Sequence, residues 1–111
     1  VQSPRPPILI AGMGPLMLGH TARYADIWNS ISFAKTFEEQ LAETRSRVAT
    51  LDAKCAAIGR DPATLRRSYL MFDAAARQSG GRVNYYDSEA SFTRMVEQVI
   101  ALGITEIALY Y

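Results

Sequence analysis

Residues 8–15, Ile8-Leu9-Ile10-Ala11-Gly12-Met13-Gly14-Pro15, pass from a short β-branched apolar run through two glycines to a proline. A buried strand, a glycine turn and a helix with Pro at its first position fit this order, because a first helical residue has no intrahelical use for the N–H that Pro lacks. The helix is predicted over residues 16–25. Ile27-Trp28-Asn29-Ser30-Ile31 then reads as a second strand. Thr36 and Glu39, three apart, form a capping box that starts a long helix. Its positions Phe37, Leu41, Thr44, Val48, Leu51, Cys55 and Ile58 alternate spacings of four and three and share one face, and Gly59 is the stop signal.

Downstream the same unit recurs. Asp61-Pro62 caps a short helical turn through Leu65, and Ser68-Tyr69-Leu70-Met71-Phe72 makes a third strand. Residues 74–87, with Ser79-Gly80-Gly81, lack periodicity and read as a loop. Asp87 or Ser88 caps a helix whose Phe92, Met95, Val96, Val99 and Leu102 face one way before Gly103, and residues 104–111 form the fourth strand. Strands separated by helices call for a parallel sheet in an α/β fold with right-handed crossovers. Four parallel strands leave two edges open and ask for cover on both faces, so the unit is expected to be incomplete. It pairs with another half, or its helices share one face and leave the other apolar and exposed.

The chain has 111 residues, 49% of them apolar, with 12 Lys+Arg against 11 Asp+Glu and a net charge of +1. That balance is one of a single ordinary globular unit and leaves no basic field for nucleic acid or anionic lipid. One Cys forms neither an internal disulfide nor a Cys-based zinc site, which fits a reducing compartment, and the cytoplasm is the expected location. Val1-Gln2-Ser3-Pro4-Arg5 does not open a signal peptide, and the apolar runs are too short to span a bilayer. A start without Met and an end inside a strand predict a fragment.

The glycine turn is the most informative candidate for chemistry. Glycines let backbone N–H groups approach a ligand, and the following helix adds a positive N-terminal dipole suited to phosphate. A tight βα turn that needs positive φ explains the same residues equally well. The segment is not Gly-x-Gly-x-x-Gly, since Met17 stands third, and it lacks the Lys-Ser/Thr of a P-loop. His20 and Arg23 lie on the first helix and read as surface or packing residues. Cys55 belongs to an apolar stripe, while Trp28, Tyr69 and Phe72 sit on strands and read as core. Tyr85, Tyr86, Tyr110 and Tyr111 are candidates for an interface. The carboxylates form no acid–base pair, and one His with one Cys makes no usual metal set.

Four segments occur in order: Pro6-Pro7 through Pro15, Thr21-Ala22-Arg23-Tyr24-Ala25-Asp26-Ile27-Trp28-Asn29, Ala57-Ile58-Gly59-Arg60-Asp61-Pro62, and Ala101-Leu102-Gly103-Ile104-Thr105-Glu106. Together they resemble the C-terminal half of the luciferase-like monooxygenase family, over essentially the whole chain. The resemblance implies the second half of a (β/α)8 TIM barrel, strands five to eight. It implies a parent oxidoreductase or monooxygenase that acts on a small-molecule substrate with FMN or coenzyme F420. It also implies that main-chain amides of Ala11, Gly12, Met13 and Gly14 bind the cofactor phosphate at the C-terminal rim. Ala11 and Met13 stand where the family more often has glycine. Asn29, Ser30 and Ser32 would face the substrate end, and no catalytic residue is assigned within this chain. The expected partner is the missing N-terminal half-barrel or a further copy of the chain. The alternative is a non-catalytic half-barrel that binds flavin or self-assembles as a dimer.

Overall fold

Local chemistry sets where each helix begins and ends. In a computed structural model that describes residues 6–34, 36–71 and 88–109, Thr36 Oγ1 accepts from the Glu39 N–H at 3.1 Å and opens α2, Phe37–Ala57. Ser88 Oγ accepts from the Ser91 N–H at 3.1 Å and opens α3, Glu89–Ile100. Asp61 Oδ1 takes the Ala63 N–H at 3.0 Å and opens a single 3-10 turn, Pro62–Thr64. Helix α1, Pro15–Tyr24, starts on Gly14 with Pro15 in its first turn. Gly59 and Gly103 close α2 and α3 with φ of 75° and 92°, the left-handed conformation that glycine adopts without strain.

The strands are β1, Leu9–Ala11, β2, Ile27–Ser30, β3, Arg66–Met71, and β4, Glu106–Leu109. They form one sheet in the order β1-β2-β3-β4, and every neighbouring pair is parallel. Sequential parallel strands joined by right-handed crossovers must carry all their helices on one face. The core agrees with this. Leu18 and Ala22 of α1, Leu51 and Cys55 of α2, and Met95 and Val99 of α3 join Trp28, Tyr69 and Met71 of the sheet in one buried cluster, with Ile10 and Ile107 packed against it. These strand residues share a face by register, since Ile10 pairs with Trp28 and Tyr69 pairs with both Ser30 and Ile107. The opposite face holds Leu9, Ala11, Ile27, Asn29, Ser68, Leu70 and Ala108, and among the described residues no helix packs on it.

Three expectations need correction. Strand β3 starts at Arg66, two residues before the predicted Ser68, because its first residues are charged and hide the β pattern. The Arg67 guanidinium is buried and bonds Asp52 on α2, so it belongs to the core despite its charge. Ile58 is exposed at the end of α2, and Gln40 is buried instead, accepting the Tyr69 hydroxyl at 2.9 Å and donating to the Ala34 carbonyl at 3.1 Å. Strand β4 begins at Glu106 rather than at residue 104. The expected loop at 74–87, together with Phe72, Tyr85, Tyr86, Tyr110 and Tyr111, lies outside the described residues.

On the open face, Arg66 grips Glu106 with both ends of its fork, Nε to Oε2 at 3.0 Å and Nη2 to Oε1 at 2.6 Å. The hydrogen bond to Arg66 holds the Glu106 carboxyl below the usual carboxylate range. A depressed folded-state pKa gives stability that is present above the ordinary carboxylate pKa and is lost as pH falls through the lowered value. Glu106→Gln should therefore flatten the acid limb of a Tm-against-pH curve and leave the neutral plateau nearly unchanged, as expected of an exposed pair. Tyr69→Phe removes the buried hydroxyl that donates to Gln40 Oε1 and should cost about 1–3 kcal/mol in urea unfolding.

Candidate functional site

The β1–α1 turn and the β2–α2 loop lie at the C-terminal ends of parallel strands, where open α/β sheets and barrels bind their ligands. One contact fixes the turn from behind, and a second closes within the first turns of α1. The Trp28 indole N–H donates to the Gly12 carbonyl at 2.9 Å in a fully buried bond. The Thr21 hydroxyl returns to the Met17 carbonyl at 2.7 Å. A Cβ on Gly12 would sit 3.0 Å from Met17 Cβ and 3.3 Å from Thr21 Oγ1. Gly12 is thus a packing glycine, which lets the strand end approach α1.

Gly14 differs. Its backbone is extended, φ −84° and ψ 163°, and a Cβ there would meet nothing within 4 Å. Neither glycine of the turn has positive φ, so the tight-turn explanation does not hold. As N-cap, Gly14 offers no side-chain acceptor, and the first turn of α1 contains no acidic residue. The Leu16 and Met17 amides have no intrahelical acceptor because of their place in the first turn. Bare amides and an unopposed helix dipole make this a good position for an anion. Ala11 and Met13 flank it and are exposed.

The β2–α2 loop is pinned to α2. Ser32 donates its hydroxyl to Glu43 Oε2, the same oxygen accepts from Arg47 Nη2 at 3.3 Å, and Arg47 Nη1 donates to the Ile31 carbonyl at 2.8 Å. This placement corrects the expectation that Asn29, Ser30 and Ser32 face one substrate end. Strand alternation sends Asn29 to the open face, in register with Ala11 and Ser68. Ser30 lies on the helix side, where its Oγ is buried without a hydrogen-bond partner among the described residues, and Ser32 is bound to α2. Met13 and Pro15 share a hollow of about 330 Å³ with Glu43 and Arg47, so turn and clasp are neighbours.

His20 lies elsewhere. It stacks on Tyr24 with ring centroids 6.4 Å apart and lines an outer groove of about 460 Å³ between α1 and α2 with Arg23 and Lys54. Cys55 is buried, and burial pushes its thiol pKa up, away from the thiolate that nucleophilic chemistry needs. Among the described residues no group of three His, Cys, Asp or Glu side chains is placed to hold a metal ion. No helix of the described residues is long and apolar enough to cross a membrane.

No protein-family model matches the chain, and no curated protein sequence matches it. Solved structures do match. The coenzyme F420 dependent tetrahydromethanopterin reductase of Methanopyrus kandleri superposes with a TM-score of 0.61 at 10% identity, over 92% of this chain and 44% of that one. An F420-dependent secondary alcohol dehydrogenase, determined with an F420-acetone adduct, gives 0.63 at 13% identity, over 96% of this chain and 43% of that one. The chain shares the fold of part of these TIM-barrel enzymes and spans less than half the length of either. The sequence identifies the glycine turn but not the division of labour within it, which appears only when a Cβ is placed on each glycine.

That division is open to direct measurement. Gly12→Ala should cost about 1–3 kcal/mol by overpacking against Met17. Gly14→Ser, which supplies a favoured N-cap, should change stability by only a few tenths of a kcal/mol, upward if at all. Chemical denaturation of the two variants separates the roles.

Proposed function

We propose that this chain is the C-terminal half-barrel of an F420-dependent oxidoreductase acting on a small organic substrate, and that it supplies the grip on the cofactor phosphate. The observation that carries the proposal is the uncapped start of α1. Gly14 leaves its Cβ space open, the Leu16 and Met17 amides lack acceptors within the helix, and no acidic side chain stands in the first turn. The residues fit a phosphate there. The amides of Met13 and Gly14 would complete the cradle, with Ala11 at its edge. Gly12 holds the turn's shape from behind through Trp28.

F420 is chosen over FMN because the reductase and the dehydrogenase that the chain resembles in fold are F420-dependent enzymes. Bound F420 supplies hydride transfer, and the protein's part is to bind and orient it. Arg47 and Glu43 contribute by fixing the neighbouring rim loop through Ile31 and Ser32.

Ligand that binds only the native state must raise Tm with its concentration. Titrating F420 into the protein should therefore raise Tm, and FMN should do so less. Gly14→Ser puts a hydroxyl acceptor on the amides a phosphate needs, so it should weaken F420 binding about tenfold, about 1.4 kcal/mol, while stability holds or rises. An F420 affinity equal in wild type and Gly14→Ser would show that the α1 start is not the phosphate site.

A further inference from the structure

We propose that the outer groove between α1 and α2 is a docking site for an amphipathic helix of another protein, one whose apolar row is flanked by carboxylates. Both walls of the groove are helices of this chain, so neither open strand edge borders it, and it stands apart from the cofactor assignment.

Helix periodicity builds the groove. Leu16, His20 and Tyr24 recur every four residues and form a ridge on α1. Lys54 and Ile58, also four apart, form the facing ridge at the end of α2. The small residues Gly19 and Ala57 complete the lining of a trough of about 460 Å³. At 1.5 Å of rise per residue the α1 ridge runs about 12 Å, a little over two turns. Its apolar walls are open, with Leu16, Tyr24 and Ile58 at 74%, 57% and 45% exposed. The stacked rings of His20 and Tyr24 give one wall a flat flank.

Gly19 has no structural reason to be glycine. Its φ is not positive, and an added Cβ would meet only the end of the Lys54 side chain, Cδ at 3.7 Å and Nζ at 3.8 Å, which are ordinary contact distances. Glycine inside a helix nevertheless costs about 1 kcal/mol relative to alanine. A local cost that the fold does not require marks a position that serves something else. Here it serves depth, because any side chain at this position would rise into the trough beneath Lys54.

The lips are cationic. Arg23 stands on the α1 side and Lys54 on the α2 side, His20 adds an imidazole, and no carboxylate lines the groove. Helix α1 contains no acidic residue, and Asp52, two residues from Lys54, is bonded to Arg67. Among the described residues neither Arg23 nor Lys54 enters an ion pair. An apolar trough between cationic lips complements a helix with apolar anchors at i, i+3 or i+4 and i+7 and acids on both sides of that row. A lipid surface is too flat to reach Gly19 and Ala57. The chain's own α3 sets Arg94 among Glu89 and Glu97, which puts a cation against cations, so a second copy is also the poorer occupant.

The probe is a fluorescein-labelled synthetic helix of about 14 residues, about four turns, with leucines at that spacing and glutamates beside them. Titrating the chain into it should raise the anisotropy, and the Kd should rise with added NaCl. Gly19→Leu fills the trough and should weaken binding at least about tenfold, while urea unfolding shows equal or higher stability because a helix former replaces glycine. Arg23→Glu/Lys54→Glu should weaken binding by a similar factor and shift preference to the same peptide with lysines for glutamates. The proposal is overturned by wild-type affinity in Gly19→Leu, by equal binding of a peptide with alanines for its leucines, or by no binding at about 500 μM. Binding of phosphatidylserine vesicles in place of the peptide, or a wild-type dimer that Gly19→Leu dissociates, would assign the groove to a membrane or to a second copy and overturns it too.

Discussion

The handedness of the βαβ crossover is the constraint from which the rest of this structure follows. A right-twisted strand feeding a helix returns to the sheet on one side only. When strands are laid down in chain order, that preference repeats without reversal, and α1, α2 and α3 all arrive on the same face. A doubly wound sheet escapes this by reversing its strand order part-way, which puts helices on both faces. The order β1-β2-β3-β4 contains no reversal. One face therefore packs into a core built around Trp28, Tyr69 and Leu51, and no described helix packs on the other.

The two faces differ in how they treat polar groups. On the helix side the polar groups that join elements have partners nearby, whereas the buried Ser30 Oγ has none among the described residues. The Tyr69 hydroxyl has Gln40, Gln40 has the Ala34 carbonyl, Thr44 has the Gln40 carbonyl at 2.8 Å, and Arg67 has Asp52. These bonds join α2 to β3 and to the loop after β2. The open face holds Asn29, Ser68 and the Arg66–Glu106 fork among small and apolar residues, a mixture suited to the inside of a barrel rather than to solvent.

Much of the fold was legible in the sequence because local signals and tertiary need coincide there. Thr36, Ser88, Asp61 and Pro15 mark helix starts by satisfying or removing first-turn donors, and Gly59 and Gly103 mark ends by adopting positive φ. The misses arise where a long-range partner reverses a residue's local meaning. Arg66 and Arg67 read as loop until Glu106 and Asp52 are placed beside them. Gln40 falls outside the apolar stripe read for the long helix, yet it is buried against Tyr69, 29 residues away on a strand. Ser30 and Ser32 read as substrate-facing because they follow Asn29, yet alternation turns one inward and Glu43 takes the other. In the candidate site the sequence located the turn, but Gly12 and Gly14 carry the same letter and do opposite work. The difference lies in what surrounds each absent side chain, which no local pattern encodes.

This separation of faces also separates folding from completion. The buried cluster and its hydrogen bonds lie between the sheet and its own helices and draw nothing from the open side. Closing the barrel would then add strand pairing and burial of the open face to a unit already formed, instead of rescuing an unformed one. The glycine turn benefits from the same order of events. Trp28 and Met17 set its geometry within the helix-side core, and the amides at the start of α1 are aimed before any second half arrives. An anion bound there, as proposed, would meet amides already placed by folding and would bear little ordering cost.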